Sequence, residues 1–274
     1  MITMHRMKIG TLWLVLLWAF AAKAGADPVE AQYQAARAHY DANRFDEAIA
    51  GFAAITRDHP SHPLAVTAAH LHLDTLNMTK DYEGLRRAAA DYLGSKRIRD
   101  PDFVKTTSVI LQQLRFKECN GLFARQKTAE AGACFERFVD AFPKSPHLDT
   151  ALFNAAVAFA TVGEQDRARR HYLRLLKEYP QSALRPKALF ALAMLCAKAS
   201  DQAQAAKLLE QLARRYPKDA QAADATMNAA FLYEELGDKK RALSMYTLYL
   251  QRYGKQIAAA EAAQIRQAIQ RLAK

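Results

Sequence analysis

Tryptophan is missing from everything after residue 18, because the chain's two, Trp13 and Trp18, both lie in its first 26 residues. The rest of the molecule therefore lacks the usual means of building the Trp-rich cleft that grips a glycan. Glycine and proline are scarce as well, 10 and 9 among 274 residues. With alanine, leucine and long charged side chains abundant, that scarcity favours helix throughout. No glycine-rich phosphate loop and no G-x-S-x-G is present, and no other catalytic constellation emerges, so neither an enzyme nor a cofactor is expected. Charges are mixed: the net charge is +11, yet no run of five or more like charges and no interleaved aromatic-basic motif occurs. That pattern argues against nucleic acid and leaves an acidic partner or an anionic envelope surface open.

The first 26 residues differ from all that follows. Arg6 and Lys8 precede an apolar run from Ile9 to Ala22, and small residues follow at Ala22-Lys23-Ala24 and Ala24-Gly25-Ala26. This is the pattern of a secretory signal peptide over 1–26, cleaved after Ala24 or Ala26; an uncleaved N-terminal anchor is the alternative. No cysteine adjoins the cleavage site, so a lipoprotein anchor is not indicated. No later stretch is long and apolar enough to span a membrane. A periplasmic protein is the expectation.

A period of 37 organises the remainder. Tyr179-Pro180 recurs as Tyr216-Pro217, Phe142-Pro143 comes one step earlier, and Tyr253-Gly254 ends the series with the other common helix terminator. Twelve residues before each terminator stands a small residue (Ala131, Ala168, Ala205, Ala242), matched by Ala48 near the N-terminus and replaced by Leu85 in the repeat that has no terminator. Twelve further upstream come Ala36, Cys119, Ala156, Ala193 and Ala230, with Leu73 the exception. Small residues at both places let two helices approach closely, and Phe52, Phe135, Tyr172, Leu209 and Tyr246 lie one turn on along the same face. Each unit is therefore a helical hairpin, and a fixed period of this length marks a repeat array.

These positions resemble the tetratricopeptide repeat (TPR): Leu152, Ala156, Phe159, Gly163, Ala168, Tyr172 and Pro180 follow its order, as do Ala230, Tyr233, Gly237, Ala242, Tyr246 and Gly254. The Tyr-Pro-Gln-Ser junction at 179–182 and Phe-Pro-Lys-Ser at 142–145 are similar to those of bacterial envelope TPR proteins, the Tol-Pal-associated periplasmic protein and BamD among them. The resemblance implies an all-α TPR solenoid of about six hairpins closed by a capping helix over 257–274. Nine residues beyond the period around Gly94 to Pro101 suggest a boundary, dividing an N-terminal pair at 27–96 from four repeats at 101–256. The resemblance further implies a periplasmic scaffold for protein–protein interaction, in outer-membrane, cell-wall or division and motility machinery, whose partner is another envelope protein or a peptide segment of one. The alternative is an accessory regulator or carrier for a cell-wall glycan enzyme.

In TPR proteins that clamp a C-terminal carboxylate, groove positions carry Lys, Asn, Asn, Lys and Arg. By that resemblance Asn120, Asn154 and Lys187 fall in register here, Phe116 replaces the first lysine with Lys117 adjacent, and Ala191 replaces the arginine, which weakens a bidentate grip. Lys117, Asn120, Asn154, Lys187 and Asn228, the last two repeats beyond Asn154, are the expected groove residues. His59, His62, His70 and His72 cluster in sequence, but spacing i, i+2 sends side chains to different faces, so a solvated junction is expected and no metal. Cys196 falls at a buried aromatic position. Cys119 and Cys134, on the two helices of one hairpin, are either a disulfide or two buried thiols.

Overall fold

A computed structural model describes residues 27–274; the expected signal peptide at 1–26 lies outside the described residues. Within them every regular element is a helix: α1 Pro28–Asp41, α2 Phe45–Asp58, α3 Leu64–Met78, α4 Tyr82–Ser95, α5 Pro101–Ala124, α6 Thr128–Ala141, α7 Leu148–Thr161, α8 Gln165–Glu178, α9 Arg185–Lys198, α10 Gln202–Arg215, α11 Ala222–Glu235, α12 Lys239–Tyr253 and α13 Ala259–Leu272. Consecutive pairs form six hairpins, and α13 packs on α12 through buried Ala262 and Ile265. The chain divides into two compact units, one ending at Leu114 and one beginning at Arg115, so the division falls inside α5.

Two recurring local structures build the hairpins. At each turn between the two helices of a hairpin one residue adopts a left-handed conformation: Asn43, Lys80, Gln126, Gly163, Ser200 and Gly237, with φ from 57° to 85°. The paired bonds of a Schellman motif close each turn, as where Gly163 N donates to Ala160 O (3.3 Å) and Glu164 N to Phe159 O (2.8 Å). Between hairpins the aromatic-Pro phrase does the work. Proline cannot continue the helix, and the chain folds into one tight turn in which Ser145 N donates to Phe142 O, Ser182 N to Tyr179 O and Asp219 N to Tyr216 O, at 2.9 to 3.1 Å. The third residue after the aromatic then shapes the approach to the next helix. Ser182 Oγ accepts from Leu184 N (3.1 Å), Asp219 Oδ1 from Gln221 N (2.9 Å) and Ser145 Oγ from His147 N (3.3 Å), side-chain turns that close two residues on, just ahead of each helix's first turn.

The small positions are where the helices meet. Ala48, Ala131, Ala168, Ala205, Ala242, Cys119, Ala156, Ala193 and Ala230 are all fully buried. Around them Phe135, Phe138, Phe159, Leu152, Tyr172, Leu175 and Leu189 form the core of the second unit. Leu73 and Leu85 are buried too, so the second hairpin seats larger side chains at the same two places. In the first unit, Phe52 and Ile55 pack against Tyr33 and Tyr40, and Phe103 meets Tyr92 and His70 edge-on.

The nine extra residues do not become a loop. Only 96–100 separate α4 from α5, whereas α5 runs 24 residues against 14 for α7, so most of the insertion is helix.

Candidate functional site

The part of α5 beyond Leu114, with α7, α9 and α11, supplies the first helices of successive hairpins in the second unit, and the 37-residue period carries each surface position from one to the next. One row runs Lys117, Asn154, Ala191, Asn228. The next turn of the same face gives Asn120, Val157, Met194, Phe231, and the turn before it Thr150, Lys187, Asp224. Spacings of three, four and seven keep these rows on one side of their helices. All five expected groove residues therefore share a face: Lys117, Asn120, Lys187 and Asn228 are exposed and Asn154 is half-buried. The alanines beside them, 156, 193 and 230, are buried.

Between the polar positions lie apolar ones that polar-residue matching overlooks. Phe231 is 54% and Met194 37% exposed, Val157 is half-buried, and Phe153, Phe190 and Met227 sit half-buried one position before the asparagine row. Their signal was in the sequence: 157, 194 and 231 are one period apart. The face thus combines amide and ammonium groups with an apolar strip, which suits a peptide whose backbone is bonded by the amides and whose side chains rest on the strip. Ala191 stands where a carboxylate clamp would place arginine, and nothing replaces the bidentate donor at that point in the row.

Cys119 of α5 and Cys134 of α6 are joined in a disulfide, with Cα atoms 5.4 Å apart, closing 15 residues at the start of this face. Asn120 follows Cys119 directly, so the bond anchors the helix that presents it. Cys196 is buried and unpaired, and burial pushes its thiol pKa up.

Behind the face, the hairpins are tied together by buried and half-buried polar groups. Arg185, only 6% exposed, donates from Nη1 to Leu176 O at the end of α8 and from Nε to Tyr216 OH (3.0 Å). Its charge thereby meets the negative end of that helix, and the junction tyrosine gains a partner two junctions wide. Arg167 lies 3.7 Å over the Phe159 ring and pairs with Glu136 and Glu164. His171, stacked on the same ring, contacts Glu136 (3.1 Å). Burial raises the Glu136 carboxyl, but bonds from Arg167 and His171 outweigh it and leave the pKa lowered; burial depresses that of His171.

Of the four clustered histidines His70 is exposed, as a solvated junction implies, and His72 departs from that expectation. His62 Nε2 contacts Asp27 Oδ2 (2.8 Å). His72 is half-buried, and its Nδ1 lies 2.8 Å from Tyr92 OH, which also meets Thr56 Oγ1 at 3.0 Å. Burial pushes His72 down to about 4 and Tyr92 up to about 12. The i, i+2 spacing does separate His70 from His72, but His72 faces its neighbouring helix and not water. Among the described residues no group of three or more His, Cys, Asp or Glu is placed to hold a metal ion.

This is a helical-hairpin repeat scaffold with an open first-helix face. The chain belongs to the tetratricopeptide repeat family: one model of that repeat matches residues 117–183 and a second matches 30–62, 187–219 and 224–255. The unmatched stretch contains α3 and α4, where Leu73 and Leu85 replace small residues. No curated protein matches the sequence. Among solved structures the chain is similar to PilW, a widely conserved type IV pilus biogenesis factor, at 16% identity over 91% of this chain and 100% of that one, TM-score 0.42. It is similar also to YrrB, a TPR protein with an unusual peptide-binding site, at 16% over 78% and 97%, TM-score 0.43. Pseudomonas aeruginosa pilF gives 13% over 87% and 96%, TM-score 0.41. Tetratricopeptide repeats bind peptides or proteins and are typically non-catalytic. No described helix is long and apolar enough to cross a membrane.

Proposed function

We propose that the protein is an exported scaffold of the cell envelope that holds a peptide segment of another envelope protein along the first-helix face of its second unit. The observation that carries this is the surface of α5, α7, α9 and α11, where Asn120, Lys187 and Asn228 stand exposed among exposed Met194 and Phe231 while the adjoining alanines are buried. Side chains that the hairpin does not need for its own packing are available to a ligand. Two features support export: the charged, apolar and small-residue order of residues 1–26, and the Cys119–Cys134 bond, which persists in oxidising compartments. The aromatic-Pro-x-Ser junctions add the resemblance to bacterial envelope TPR proteins.

The experiment is capture from envelope extract, comparing the wild-type chain with an Asn154→Ala, Lys187→Ala, Asn228→Ala variant. The variant is expected to lose the partners that the wild type retains, with its helical signal and melting temperature nearly unchanged, since exposed substitutions shift stability by about 0.5 kcal/mol or less. Identical capture by both proteins would place binding elsewhere. Intact mass of the exported protein should lack residues 1–26; their retention would indicate an anchored protein.

A further inference from the structure

The positive charge of this chain is not spread evenly. Through residue 114 the described residues carry ten basic and twelve acidic side chains, whereas from 115 onward there are twenty-six basic and sixteen acidic. Within the second unit the charge divides again by helix. The first helices α7, α9 and α11 hold three basic and four acidic residues; the second helices α8, α10 and α12 hold twelve basic and three acidic. The period aligns the outward positions of the second helices: Asp166, Ala203, Lys240; Arg170, Lys207, Ser244; Leu173, Glu210, Thr247; Lys177, Arg214, Gln251. Of the two acids in these rows, Glu210 is already engaged by Arg214 (2.8 Å) and Tyr233 OH (2.7 Å). Arg170, Lys177, Lys207 and Lys240 are exposed and have no carboxylate partner among the described residues.

We propose that this outward face of α8, α10 and α12 docks on an anionic phospholipid bilayer. Cations distributed over three helices with their long stems free can reach lipid phosphates while their apolar stems lie along the interface. Leu173 is 43% exposed one turn from Arg170 and one turn from Lys177, an apolar side chain ringed by cations, which is the pattern of an interfacial contact. Between α10 and α12 an open cleft of about 540 Å³ is lined by Lys240, Thr247, Leu243 and Leu248 together with Arg214, which already bonds Glu210 and Ser244 Oγ (2.9 Å), so a phosphodiester head group finds there one cation unpaired among the described residues, the Thr247 hydroxyl and an apolar floor. The rows contain no aromatic ring on which a base would stack, which disfavours nucleic acid. This surface is distinct from the peptide face and the inference does not depend on that reading.

The test is co-sedimentation of the chain from Asp27 onward, which contains every helix described, with vesicles of phosphatidylglycerol mixed with phosphatidylcholine and with phosphatidylcholine alone. Binding is expected to the mixed vesicles only, and to fall as salt shortens the Debye length from about 10 Å at 0.1 M to about 3 Å at 1 M. Each cation near such a surface is worth about fivefold in partition, the equivalent of roughly 1 kcal/mol. The variant Arg170→Gln, Lys177→Gln, Lys207→Gln, Lys240→Gln should therefore lose on the order of several hundredfold. The peptide-face variant, Asn154→Ala with Lys187→Ala and Asn228→Ala, should sediment like wild type. Equal binding to neutral vesicles, no binding to anionic ones, or undiminished binding by a folded quadruple variant each overturns the proposal. So does a preference for duplex DNA or an acidic protein over the vesicles. Loss of vesicle binding with partner capture intact separates this surface from the peptide face.

Discussion

Gly132 on α6 shows how little room a single position leaves. A Cβ there would meet Phe159 Cε1 at 2.9 Å and Ala158 Cβ at 3.1 Å, and the Phe159 ring also carries Arg167 and His171 packed on it. Gly132→Ala is expected to lower stability by about 1–3 kcal/mol through overpacking, read as a reduced denaturation midpoint. The opposite sign is expected at the hairpin turns, where only Gly163 and Gly237 among the six left-handed residues are glycine. Gln126→Gly or Ser200→Gly removes a Cβ from a conformation that disfavours it, with a net gain of about 0.5–1 kcal/mol after the unfolded chain's added freedom is counted. His72 gives the pH dependence. Its folded pKa, pushed down by burial to about 4, lies below the ordinary value of 6.5, and Asp91 opposes that shift only partly. The unfolded chain therefore binds the proton first, and stability should fall as pH drops from about 6.5 towards 4. His72→Gln should flatten that part of the profile in denaturant melts taken across the range.

Elements are held by ties that no single helix contains. The disulfide joins the last turns of α5 to α6, and closing 15 residues is worth about 3 kcal/mol in the chain-entropy picture. Reduction, or the pair Cys119→Ala and Cys134→Ala, should lower stability by that order. Thiol titration of the oxidised protein in denaturant should find one reactive group, Cys196; three would refute the bond. Arg185 links the end of α8 to the following junction through Leu176 O and Tyr216 OH. Arg185→Met keeps the stem and strands both acceptors, so a loss of about 2 kcal/mol or more is expected, since hydrogen bonds to a charged group are among the stronger ones. Tyr216→Phe should reproduce part of that loss, measured by the same melts.

Across the whole molecule, the repeat period sorts chemistry onto two faces of the second unit. First helices present amides with Met194 and Phe231, and second helices present unpaired cations. Because these rows lie on different helices and share no partners, substitutions on one face should add independently to those on the other. A combined variant of the peptide face and the cationic face should lose partner capture and vesicle binding together, while each parent loses only one. The first unit, nearly balanced in charge, should contribute little to vesicle binding, and neutralising Arg87 and Arg99, both exposed there, should leave sedimentation unchanged.

The sequence by itself determined the helices, the hairpins and their spacing, because these are local: a proline or glycine ends a helix, alanine at fixed intervals lets two helices touch, and a period repeats both. It also placed Asn120, Asn154, Lys187 and Asn228 on one face, since position in a repeat fixes direction. Phe231 and Met194 were equally legible at that spacing, but an apolar residue in a sequence does not say whether it is covered. Tertiary structure decided what depends on neighbours distant in the chain. It buried His72 beside Tyr92, gave Arg185 the Leu176 carbonyl and the Tyr216 hydroxyl, and spent the inserted residues on lengthening α5. It also brought the two cysteines within bonding distance, where spacing had left bond and free thiols open. Burial and proximity are set by which surfaces pack, and packing is resolved only when every helix has a place.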